Sequence, residues 1–99
     1  MSADFPLTRE QLADALRAMP GERLLLPDNK CECPIAAALR DCGHGGQGGI
    51  AVDMFHADID GVVVDLPQWA RDFVHVVDAV APAALSPAEA LAMLEQVPA

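Results

Sequence analysis

The sequence predicts an α+β domain in which three or four helices cover a small, mostly antiparallel sheet, in the order α-β-α-β-β-α-α. Three observations carry this. Asp60-Gly61, a favoured two-residue hairpin turn, stands between two β-rich apolar runs. Two capping boxes, Thr8/Gln11 and Ser86/Glu89, each open a run with helical periodicity. Pro34 and Pro67 stand where two further helices begin, a position at which the missing N–H costs nothing.

The first helix covers residues 8–19. Leu7 and Leu12 have the spacing of a hydrophobic staple, Leu12, Leu16 and Met19 share one face, and Pro20-Gly21 stops the run. Residues 23–26 read as a short strand, closed by the turn-like Pro27-Asp28-Asn29-Lys30. The second helix has Cys33 as N-cap, a stripe of Ile35, Ala38, Leu39 and Cys42, and Gly43 to end it. The hairpin follows, joining 50–59 to 62–66. With Asp60-Gly61 as the whole loop, Ile59 faces Val62, Ala57 faces Val64 and Phe55 faces Leu66 on one apolar face. His56, Asp58 and Asp65 then share the other face, His56 directly across from Asp65. The third helix runs from Pro67 to about 81, with Trp69, Phe73, Val76, Val77 and Val80 on one side. Gln68, Arg71, Asp72, His75 and Asp78 take the other side. The last helix starts at Ser86 and continues through Leu91 and Leu94.

Two strings in this pattern carry a resemblance: Cys33-Pro34-Ile35-Ala36-Ala37-Ala38-Leu39-Arg40 and Leu66-Pro67-Gln68-Trp69-Ala70-Arg71-Asp72-Phe73-Val74. They resemble small uncharacterised proteins of high-GC actinobacteria and their phages, in which a Cys-Pro-aliphatic-Ala helix, a hairpin and a Leu-Pro helix follow one another. The resemblance covers residues 31–80, and segment 83–99 departs from it. It implies a phage or mobile-element setting and no activity.

The 99 residues form one domain, 1–99, and 53% of them are hydrophobic, which suits a folded core rather than an acidic disordered tail. No apolar stretch approaches the roughly 20 residues of a membrane span, and Met1-Ser2-Ala3-Asp4-Phe5-Pro6 lacks the pattern of a secretory signal. A cytoplasmic protein is expected. The net charge of −9 is distributed unevenly. Residues 1–40 hold Arg9, Arg17, Arg23, Lys30 and Arg40 against six carboxylates, whereas residues 41–99 hold nine carboxylates against Arg71 alone. Such a field repels nucleic acid and anionic lipid and attracts basic protein surfaces.

Cys31, Cys33, Cys42 and His44 spell Cys-x-Cys-x8-Cys-x-His, a zinc-like pattern. Ligands of one zinc need Cα atoms within about 9 Å of one another. A helix over 34–42 separates Cys33 from Cys42 by nine steps of about 1.5 Å, so helix and four-ligand site exclude each other. Pro34 and three successive alanines favour the helix, and no cofactor is expected. A helix N-terminus lowers a thiol pKa, but no base is placed beside Cys33, which reads as a cap rather than a nucleophile. The loop 43–49 runs from helix to strand without a positive charge, unlike a phosphate cradle. Asp58-Ile59-Asp60-Gly61 echoes a calcium loop, but Trp69 stands where its glutamate belongs. His56 and Asp65 read as an exposed cross-strand pair worth a few tenths of a kcal/mol, not a pH switch. Trp69 reads as a core residue covering the sheet.

Asp53, Asp58, Asp60 and Asp65 on the hairpin, with Asp72 and Asp78 on the third helix, are therefore the candidate partner-binding residues. The expected function is a non-enzymatic protein-binding domain, for example an anti-CRISPR-like inhibitor that mimics nucleic acid on a basic protein surface. A zinc or thiol module at Cys31, Cys33, Cys42 and His44 is one alternative, and a subunit of a homo-oligomer is the other.

Overall fold

The computed structural model describes residues 5–26, 32–46, 49–80 and 84–97. Its elements are α1 (Arg9–Ala18), α2 (Pro34–Asp41), β1 (Ile50–Val52), β2 (His56–Ile59), β3 (Val62–Asp65), α3 (Gln68–Val80) and α4 (Pro87–Glu95). The fold is α+β, with an antiparallel meander of order β1-β2-β3. Among the described residues no helix is long and apolar enough to cross a membrane.

Local chemistry sets most boundaries. Thr8 accepts from the Gln11 N–H while the Gln11 side chain accepts from the Thr8 N–H, and Ser86 and Glu89 repeat the arrangement. The Cys33 thiol accepts from the Ala36 N–H at 3.4 Å and caps α2, with Pro34 as its first residue. At the other end, Gly43 N–H bonds the Arg40 carbonyl and His44 N–H bonds the Leu39 carbonyl. This paired closure needs a left-handed residue, and Gly43 supplies it at φ +91°. Asp60 at φ +54° and Gly61 at φ +83° make the mirror-image turn whose twist matches that of a hairpin.

The core sits between the inner face of the sheet and the helices. Ile50, Val52, Ala57 and Val64 are buried on that face, opposite Leu12, Leu16, Leu39, Phe73, Val77 and Leu94 from the helices. Helix α2 is central: every residue from Pro34 to Leu39 is buried, and Ala36, Ala37 and Ala38 are fully enclosed. Small side chains there let α1 and β1 approach its backbone.

Several expectations are corrected. Residues 23–26 do not form a strand; a single bridge joins Leu25 to Leu85, and the turn at 27–30 lies outside the described residues. The run 50–59 is two strands, because the Asp53 carboxylate gathers the N–H groups of Phe55 (2.8 Å) and His56 (2.7 Å) and reverses the chain. The hairpin register itself is as expected, with His56 opposite Asp65 and Ala57 opposite Val64. The apolar face is buried only in its middle, since Phe55 and Val62 remain more than half exposed. Cys42 is exposed rather than part of the α2 stripe. On α3 the buried positions are Ala70, Phe73 and Val77, and Val80 is exposed. Trp69 is only partly buried, edge-on to Phe5 at 6.0 Å.

Candidate functional site

The parity of the strands builds the outer face of the sheet. Side chains alternate, so the register that buries Val52, Ala57 and Val64 turns Ala51, Asp58 and Val63 outward as one cross-strand row. The next row is Asp53, His56 and Asp65. His56 stands in its centre, with Nδ1 3.7 Å from Asp53 and Nε2 3.4 Å from Asp65. A shallow cavity of about 290 Å³ opens here, lined by Ala51, Asp53, His56, Asp58 and Val63.

The six aspartates predicted from sequence have different surroundings. Asp65 is the most open of this row, its side chain 66% exposed. Asp58 is exposed too, and one of its oxygens accepts from the Gly61 N–H at 3.0 Å. Asp53 shapes the turn through Phe55 and His56 while presenting its side chain to the same face. Asp60 points to the glycine loop: its carboxylate accepts from the Gly46 N–H at 3.1 Å, and its own N–H bonds the Gly49 carbonyl. Asp78 borders a second cavity of about 250 Å³ with Asp53, Met54, Val52, Val74 and Cys33. Asp72 accepts from the Gln68 amide at 2.9 Å. At about 100° per residue, Asp72 and Asp78 lie some 120° apart around α3, on opposite flanks of its buried stripe. Asp53, Asp58 and Asp65 are thus brought together, Asp78 adjoins them at Asp53, and Asp72 is elsewhere.

Among the described residues, the arginines of the first 40 positions have partners of their own, although Arg9 and Arg17 line a cavity of about 990 Å³ that Asp65 also borders. Arg17 pairs with Asp14, Arg23 with Asp41 at 2.7 Å, and Arg40 with Glu32. Arg9 donates to the Leu94 carbonyl at 2.8 Å. Arg71 donates to the Leu66 carbonyl and lies 6.0 Å from the centre of the Phe55 ring. Of these described groups, His56 lies within 4 Å of two carboxylates of the outer face, Asp53 and Asp65.

Cys33 and Cys42 cap opposite ends of α2, and His44 follows Cys42; Cys31 lies outside the described residues. Among the described residues no group of three His, Cys, Asp or Glu side chains is placed to hold a metal. Burial pushes the Cys33 thiol pKa up from its ordinary 9.0, outweighing the backbone N–H groups of Ala36 and Ile35 and the charge of Arg40. The helix-terminus argument alone gives the wrong sign for this thiol.

Sequence reasoning missed the exposure of Met54, Phe55, Val62 and Val63, of which Val63 stands across from Asp58 on the outer face. Asp53 carried the missing signal, since a carboxylate that can bond N–H groups two and three residues on is a turn former. Comparisons with family models, with curated proteins and with solved structures find no match.

Proposed function

We propose that the protein is a non-enzymatic binding domain that docks the acidic outer face of its sheet on a basic surface of a partner protein. That surface is of the kind that otherwise holds nucleic acid, and a phage or mobile-element inhibitor mimicking nucleic acid is the concrete form. One observation carries the reading: Asp53, Asp58 and Asp65 share the uncovered face, while Arg17, Arg23 and Arg40 pair elsewhere. Steered by this field, association is fast at low ionic strength and weakens within a Debye length of about 8–10 Å as salt is added.

The test is titration of a fluorescent arginine-rich peptide at 50 and 300 mM salt. The wild type is compared with an Asp58→Asn, Asp65→Asn double variant. Exposed ion pairs are worth roughly 0.2–1 kcal/mol each, so losing two weakens binding about 2- to 30-fold. Salt should produce a loss in the same direction. Affinity indifferent to both salt and substitution refutes the reading.

A further inference from the structure

The β2–β3 register leaves one row of backbone groups unused. Ile59 and Val62 flank the two-residue turn and form a hydrogen-bonded pair, so Ala57 and Val64 form the next one. The 2.9 Å bond from the Leu66 N–H to the Phe55 carbonyl continues that phase. Val63 and Asp65, which lie between these pairs, therefore turn their N–H and C=O groups away from β2. Because β3 is the last strand of the sheet, those groups face outward, and among the described residues none bonds to them. The opposite edge differs: β1 lies against α2, with Ile50 and Val52 buried.

Natural sheets protect such edges most often with lysine, proline or a bulge, and also with other charges or a very short strand, devices that β3 has only in Asp65 and in its four-residue length. β3 reads Val62-Val63-Val64-Asp65, has no lysine, proline or bulge, and leaves Val62 53% and Val63 58% exposed. A strand added here places the residues opposite Val63 and Asp65 on the outer face, among the carboxylates. A second copy of the chain brings its own −9 charge and a second Asp65 to that position, which opposes self-pairing.

We infer that the free edge of β3 is a strand-addition site for an extended segment of a partner protein with lysine or arginine at alternate positions. Its backbone pairs with Val63 and Asp65, and its basic side chains lie over Asp65 and Asp58. The inference rests on the acidic-face reading and adds to it a backbone-directed mode of recognition.

The experiment uses an eight-residue peptide of alternating lysine and valine, and the same peptide N-methylated at every residue. Both carry the same charge, but the second has no backbone amide N–H to donate. At 50 mM salt the unmethylated peptide should bind at least tenfold more tightly. It should also slow hydrogen exchange at the Val63 and Asp65 amides at least tenfold. Val63→Pro removes an outward N–H without touching a β2 bond, and it should reduce the preference between the peptides at least threefold. The exchange measurement needs no variant. Equal, salt-sensitive binding of both peptides overturns the strand-addition site and leaves the acidic-face reading standing. Absence of binding by either peptide overturns both. Protection of the same amides without peptide, in a dimer seen by light scattering, assigns the edge to a second copy and overturns the inference.

Discussion

Replacing Asp60 in three ways separates two roles that charge counting cannot distinguish. At φ +54° the residue sits in the left-handed region, where an ordinary L side chain costs roughly 1–2 kcal/mol and Asp or Asn less. Its carboxylate also holds the glycine loop through the Gly46 N–H at 3.1 Å. An exposed bond of this type contributes about 0.5–1.5 kcal/mol. Asp60→Asn keeps both the backbone tolerance and an acceptor, and should change stability by less than about 0.5 kcal/mol. Asp60→Gly keeps only the backbone freedom and should lose about 1 kcal/mol. Asp60→Ala loses both and should lose about 2 kcal/mol. The assay is urea denaturation followed by Trp69, the only tryptophan in a chain without tyrosine. With a slope of about 1–2 kcal/mol per molar, the alanine variant should shift the midpoint by about 1–2 M. An alanine variant as stable as the glycine one would refute the backbone argument, and an asparagine variant as unstable as alanine would refute the anchoring one.

Three further outcomes are expected. Ala37 is fully enclosed on α2, so Ala37→Leu should cost about 1–3 kcal/mol by overpacking, whereas Ala88→Leu on the exposed side of α4 should be nearly neutral; denaturation midpoints check both. Cys42 is exposed and should react with iodoacetamide at pH 8 at least tenfold faster than Cys33, as resolved by peptide mapping. Because burial raises the Cys33 pKa, its stabilising effect is complete below the ordinary 9.0 and declines as pH rises through the higher folded value. Cys33→Ala should flatten that alkaline loss.

What was legible in the chain was local. Thr8, Ser86 and Cys33 declare helix starts through bonds to residues three positions away, and Asp60-Gly61 declares a turn through its own backbone preference. Parity from that turn then placed Asp58, His56 and Asp65 on one face. Non-local geometry was not legible. The Leu25 bridge depends on Leu85, 60 positions further on, and a leucine run has no way to announce such a partner. Helix α2 was read as one-sided because alanine is a weak marker of burial, yet Ala36 and Ala37 are enclosed because α2 is the central helix. For the site, charge alone could not tell Asp60, bound to a loop, from Asp65, open to solvent. The two flanks of α3 were recoverable from 100° steps and separate Asp72 from Asp78.

The arrangement of the outer face bears on how a partner would use it. Asp58 and Asp65 are diagonal neighbours on β2 and β3, which places them roughly 7–8 Å apart. In water their repulsion is about 0.5 kcal/mol and falls further with salt. Asp65 has His56 3.4 Å away, while Arg17, Arg23 and Arg40 pair with other carboxylates. A lysine or arginine arriving opposite Asp65 would interact with both carboxylates at once and remove their mutual repulsion. Binding would therefore gain more than a single exposed ion pair provides, and Asp58→Asn should stabilise the free protein slightly while weakening the complex. A substitution that moved both in the same direction would place the carboxylates among the structural residues of the sheet.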